Sequence, residues 1–133
     1  MTAKFEKEKH SKEACEQSLG AVRDALYVLN GKWKLPIIVA LSSGPMRFKE
    51  LQRTIAEITP KILSKELKDL ELNDFVNRKV YPTIPVSVEY SLTSYSQTLD
   101  KVLGELRDWG LQHRKRIFSK SRQTKKAVLK TKG

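Results

Sequence analysis

At 133 residues, with an apolar share of 39%, the chain has room for one small core and little else. No apolar run approaches the roughly 20 residues that span a bilayer, and the charged start, Met1 to Lys9, lacks the apolar segment of a secretory signal, so a soluble cytoplasmic protein is expected. The formal charge of +11 is uneven: residues 113 to 133 hold nine basic residues and no acid, and without those nine, 17 basic residues face 15 acidic ones.

A block of like charge with few apolar residues predicts a disordered tail over 117–133. Such a tail either adds salt-dependent attraction to phosphates or is simply a solvated end. A nucleic-acid partner must therefore be argued from where the remaining charge sits.

In chain order, residues 1–14 read as a flexible polar arm. Leu19, Val22, Leu26 and Leu29 then form one helical stripe, which Asn30-Gly31 closes as a C-cap does. From Trp33 to Leu41 nearly every residue is apolar, which predicts a helix buried on most sides, with Pro36 tolerated in its first turn. Ser42-Ser43-Gly44-Pro45 stops it. Arg47 to Ile55 reads as a short helix with Phe48, Leu51 and Ile55 on one face and Lys49 and Arg53 pointing outward. Only Ala56-Glu57-Ile58 separates it from the next element.

That element opens Thr59-Pro60. Thr59 can accept from the orphan amides of a first turn, and Pro60 suits the first helical position because its missing N–H would be unpaired anyway. At roughly 100° per residue, Lys61, Lys65 and Lys68 fall within about 60° of one another, and Leu63, Leu67 and Leu70 lie about 160° away. Leucines can hold such a helix to a core while its ammonium groups face something anionic. The competing reading is an ordinary solvated face, which Glu66, Asp69 and Glu71 on the flanks support. Two short amphipathic helices in this arrangement, the second one basic, make a helix-turn-helix unit.

Asn73-Asp74 can end the second helix, since both tolerate left-handed backbone. Two strand-like runs follow, Phe75 to Tyr81 and Val86 to Leu92, joined by Pro82-Thr83-Ile84-Pro85. In the second run Val86, Val88, Tyr90 and Leu92 alternate with Ser87, Glu89 and Ser91. Helix-turn-helix plus hairpin is a winged helix. A last long helix is expected from about Ser94, where Ser94 and Gln97 have capping-box spacing, with Leu99, Val102, Leu103, Leu106, Trp109, Gly110 and His113 on one broad face. The fold class expected is α+β, mostly α: a winged helix-turn-helix over residues 15–116 with extra helices at both ends.

Gly31-Lys32-Trp33-Lys34, Arg47-Phe48-Lys49-Glu50-Leu51, Ile58-Thr59-Pro60-Lys61-Ile62-Leu63 and Val88-Glu89-Tyr90-Ser91-Leu92-Thr93 stand in the order found in HxlR-type transcriptional regulators, winged-helix proteins related to the MarR group. The chain resembles that family from roughly Cys15 to Trp109, and four motifs in register make the resemblance specific. It implies a homodimer on a pseudo-palindromic operator. Two positions depart from the family pattern. Val86 and Ser87 stand where a proline and a basic residue are usual, leaving Arg78 and Lys79 as the better wing contacts. Ser94-Tyr95-Ser96 replaces an acidic residue and a glycine, which should alter only the local helix start.

The DNA-contact residues expected are Thr59, Lys61, Ser64 and Lys65 near the N-terminal end of the second helix, the part that usually reaches base edges. Lys68 and Lys49 should touch phosphate, with Arg78 and Lys79 on the wing. For the dimer, Leu19, Val22 and Leu26 of the first helix and Leu99, Val102, Leu103, Leu106, Trp109 and Gly110 of the last are expected to pair with their copies. Gly110 would permit close backbone approach at some cost in propensity. The competing reading folds both helices back on their own domain. In the dimer, recognition helices would lie about one DNA turn, roughly 34 Å, apart.

Cys15, the sole cysteine, cannot form a disulfide within the chain. Several members of the resembled family carry a cysteine at this place and use it to sense oxidants or electrophiles, which implies a redox switch here. Lys12 and a nearby helix N-terminus would favour the thiolate, whereas Glu13 and Glu16 oppose it; a spectator thiol is the competing reading.

Other chemistry is thin. His10 and His113 are the only histidines, and with one cysteine they give no recognised zinc spacing. Gly31 and Lys32 have no phosphate-loop framework around them, and no acid/base pair or Ser–His–Asp arrangement can be placed. No enzyme activity, metal or cofactor is expected. Trp33 and Trp109 are most simply core or interface anchors. Two rivals remain: a winged helix used only for protein interaction, and binding of structured RNA, whose narrow major groove excludes a helix.

Overall fold

A computed structural model describes residues 11–131, with side chains through 125. It divides into two units, one ending at Thr93 and one beginning at Ser94.

Helix α1 (Lys12–Val28) starts earlier than a 14-residue arm allows, because the Ser11 side chain accepts the Ala14 amide at 3.3 Å and caps it. No residue of α1 is buried, and Leu19, Val22 and Leu26 are each more than half exposed. The helix ends at Leu29, and Gly31 takes a left-handed turn (φ 88°) into the next element. Helix α2 (Lys34–Leu41) buries Ile37, Ile38 and Leu41 and half-buries Leu35 and Ala40, so it is covered on most sides as expected, with Pro36 and Val39 (53% exposed) on the open one. Its first residue, Lys34, is buried.

A two-residue strand, β1 (Met46–Arg47), precedes helix α3 (Phe48–Thr54). Arg47, expected as the start of that helix, is its extended N-cap instead (φ −83°, ψ 162°). Helix α4 (Pro60–Leu72) follows, then β2 (Val76–Tyr81) and β3 (Ser87–Leu92). The three strands form an antiparallel sheet in the order β1-β3-β2. Val76 pairs with Leu92 and Tyr81 with Ser87 across the hairpin, while Met46 pairs with Tyr90 on the other edge.

The core of this unit joins Ile37, Ile38 and Leu41 of α2 to Leu51 of α3, Leu63, Leu67 and Leu70 of α4, and Val76 of β2. Ile55, Ile58 and Phe75 close it at the turns. Truncating one such leucine to alanine typically costs about 2–5 kcal/mol, so the leucine face of α4 is what fastens the helix to the fold.

The second unit opens with a short 3₁₀ segment (Tyr95–Leu99) and continues as α5 (Asp100–Thr131). The expected capping box does not form: Ser94 is itself helical (φ −61°, ψ −32°) and makes no side-chain cap. The helix also runs on through 117–131, where a disordered tail is predicted. Between Gly110 and Gly133 the chain has no glycine or proline, and its Lys, Arg, Gln, Ala and Leu residues are good helix formers. Val102, Leu106 and Trp109 are exposed, and the Trp109 ring stacks on His113 with centroids 4.9 Å apart. Leu99, Leu103 and Gly110 are half-buried. A Cβ at Gly110 would meet nothing within 4 Å, so nothing in one copy of the chain requires glycine there. No described helix is long and apolar enough to cross a membrane.

Candidate DNA interface

Helix α4 is built from its N-terminus. Thr59 is extended (φ −81°, ψ 153°), its Oγ1 accepts the Ile62 amide at 3.2 Å, and its carbonyl accepts the Leu63 amide at 2.9 Å. Its hydroxyl still has a proton to donate. The turn from α3 is tight because Glu57 adopts a left-handed conformation (φ 74°) while Ile55 and Ile58, on either side, are buried. Glycine is the usual signal for such a turn, so Glu57 gave no warning of it.

With Leu63, Leu67 and Leu70 inward, Lys61, Ser64, Lys65 and Lys68 all face solvent. Among the described residues, none of the three lysines is engaged in an ion pair. The acids that support a solvated-face reading are largely spoken for. Glu66 Oε2 lies 2.7 Å from Lys34 Nζ, and Asp69 Oδ2 lies 3.7 Å from it. The same ammonium donates to Asn30 Oδ1 at 3.2 Å. Sequence reasoning missed this cluster. The available signal was a lone cation opening an otherwise apolar helix, since a lysine is almost never buried without a partner.

The wing residues separate. Arg78 pairs with Tyr90 and, with it, lines a cleft of about 330 Å³ together with Ser64, Lys68 and Glu71 of α4. Lys79 lies on the opposite face of the sheet, its ammonium 4.9 Å from the centre of the Tyr81 ring. The Tyr81 hydroxyl in turn donates to Glu89 at 3.3 Å. Lys49 is exposed and belongs to a second, larger groove of about 610 Å³, which Arg47 and Phe48 form with the wing loop from Thr83 to Val88. The structure thus brings Ser64, Lys68 and Arg78 together, sets Lys49 beside the wing tip, and turns Lys79 away.

Cys15 is exposed in the first turn of α1, its amide donating to the Ser11 carbonyl at 3.0 Å. Among the described residues, no group of three His, Cys, Asp or Glu side chains could hold a metal ion.

Comparison with known proteins points the same way. Residues 28–118 match the family described as HxlR-like helix-turn-helix. The HTH-type transcriptional regulator BH0655 of Halalkalibacterium halodurans is 49% identical over 89 residues, spanning 66% of this chain and 79% of that protein. Among solved structures, the redox regulator HypR in its reduced form superposes with a TM-score of 0.70 at 35% identity, covering 74% of this chain and 98% of HypR. The reduced form of the transcriptional regulator YodB from B. subtilis gives 0.61 at 41% identity, covering 68% and 88%.

Proposed function

The chain belongs to the HxlR-like helix-turn-helix family of transcriptional regulators, and from that premise we propose that it binds a pseudo-palindromic operator as a homodimer, each copy laying α4 in the major groove. One observation carries this reading: α4 offers Lys61, Lys65 and Lys68 to solvent without ion-pair partners among the described residues, while its opposite face is locked in the core. Thr59, Lys61, Ser64 and Lys65 reach base edges from the N-terminal half. Lys68, Arg78 and Lys49 hold phosphates and set the register. A module meant only for protein contact would have no use for that uncompensated basic face.

The dimer is supported by the exposed stripes Leu19–Val22–Leu26 on α1 and Val102–Leu106–Trp109 on α5. Apolar side chains at that exposure on two helices mark surfaces that another chain covers. Two copies would set their α4 helices about 34 Å apart, one turn of DNA. The role is regulatory rather than catalytic, exercised in the cytoplasm. The deciding experiment is selection of bound duplexes from a random pool at physiological salt. An enriched inverted repeat supports both halves of the reading, an enriched single half-site removes the dimer, and no enrichment removes sequence-specific binding.

A redox- or electrophile-responsive form of this regulator is the finer reading. The exposed thiol of Cys15 at the start of α1 supports it, as does similarity to HypR, described as a redox regulator, and to YodB, whose structure is also known after diamide treatment.

A further inference from the structure

We infer that Lys34 is a positioning residue for DNA reading: its buried ammonium, held by Glu66 and Asp69 of α4 and by Asn30 in the connection after α1, fixes the rotation of α4 about its own axis. The inference rests on α4 being the reading helix. Lys34 is only 6% exposed, and the Glu66 side chain with which it pairs at 2.7 Å is 14% exposed. Glu66 lies on the flank between the leucine face and the lysine face, about 130° round the helix from the centre of the lysine arc. The opposite flank, Ser64 and Glu71, borders the cleft shared with Arg78 and Tyr90.

Leucines packed in a core resist withdrawal of a helix more than they resist a small rotation, because apolar contacts are non-directional. A charge pair with hydrogen-bond geometry is directional. A buried pair of this kind is a poor source of stability but a good setter of register. At a side-chain radius of about 5–6 Å, a rotation of about 20° moves the helix surface by about 2 Å. That is enough to break a base-edge hydrogen bond while leaving phosphate attraction nearly intact. The signature of a positioning role is therefore loss of discrimination without equal loss of general affinity.

The test uses the full chain and the selected operator, with an unrelated duplex of equal length at the same salt. Lys34→Met should lower the ratio of operator to unrelated-duplex affinity by about tenfold or more, the scale of one lost base contact, with unrelated-duplex binding little changed. Lys34→Arg should keep most of the ratio. Because Lys34→Met leaves Glu66 half-buried and unpaired, the double variant Lys34→Met/Glu66→Met is measured beside it, with thermal unfolding and active fraction for each. A folded double variant with a reduced ratio upholds the inference. A folded double variant with the wild-type ratio overturns it, since apolar packing alone then orients α4. Failure of the wild-type chain to prefer any duplex would instead sink the DNA-reading function itself.

Discussion

Arg78 and Tyr90 are direct partners across the β2–β3 ladder, on the side of the sheet where Val76 is buried, and both line the cleft that α4 borders with Ser64 and Lys68. The two-residue period of the strand puts Lys79 on the other side. One of two adjacent wing cations therefore lines the α4 cleft, and in the proposed complex a phosphate held by Lys68 would lie within it.

Replacing Arg78 by alanine is expected to weaken binding to all duplexes alike and to reduce the slope of log affinity against log salt by about one unit. Lys79→Ala should leave both nearly unchanged. Titrations of the two variants over a range of salt concentrations check this. A slope change for Lys79 and none for Arg78 would mean that DNA approaches the other face of the wing.

On α4, the Lys61→Ala/Lys65→Ala variant should lose specific binding by about 1–3 kcal/mol for each base contact removed. Both side chains are solvent-facing, so thermal stability should hardly move. Wild-type affinity of the folded double variant for its selected site would exclude this helix as the reader.

Local chemistry explains which parts were legible in sequence. The Thr59-Pro60 start of α4 uses a cap that spans three residues, and the helix begins at Pro60 as expected. The two strand-like runs formed as β2 and β3, each starting one residue later than expected, although every residue of β3 is half-buried and its two faces do not differ in burial. What stayed hidden depends on distant partners. Strand β1 is only two residues long and exists through pairing with Tyr90 and Glu89, more than 40 positions on. Lys34 finds Glu66 a full 32 residues away. At Ser94, capping-box spacing was present, yet the residue is helical itself and the 3₁₀ segment follows directly, so spacing without extended backbone at the cap carried no weight.

Thr59 has two duties that can be separated. Thr59→Ala removes the acceptor for the Ile62 amide and should cost about 1 kcal/mol of stability. Thr59→Ser keeps the cap and should restore it. If the hydroxyl also contacts DNA, alanine lowers operator affinity beyond what its small unfolded fraction explains. Urea denaturation of both variants, with operator titration, gives the two quantities independently. Unchanged stability in the alanine variant would show that Pro60 alone sustains the helix start.

Exchanging Leu103 and Leu106 for charged residues is expected to yield monomers or aggregates and to abolish operator binding, because a single half-site supplies too few contacts. Leu106 is 49% exposed in one copy of the chain, so a charge there is tolerable in an isolated monomer and costly only once a second chain covers it. Sedimentation of wild type and variant at micromolar concentration reads the change in mass. A stable wild-type monomer would remove the basis for half-sites one helical turn apart.

The exposed thiol of Cys15 gives the last prediction. In a dimer built on α1, two such thiols from symmetric helices could approach one another. Diamide would then take two electrons and two protons from the pair, becoming the hydrazine, as a disulfide forms between Cys15 and Cys15 of the partner subunit. Alternatively, an electrophile such as a quinone would alkylate one thiol. Either event alters the first turn of α1, and Asn30, just beyond the far end of that helix, accepts a hydrogen bond from Lys34. The expected outcome is a change in operator affinity on treatment, with a reducible dimer band for diamide and a mass increase for the quinone. Cys15→Ser should bind the operator like wild type and lose the response, since serine preserves size and local hydrogen bonding without forming either product. Equal responses in mutant and wild type would leave Cys15 a bystander and require the oxidant to act on another residue, with Met46 as the half-buried thioether beside α3 to examine first.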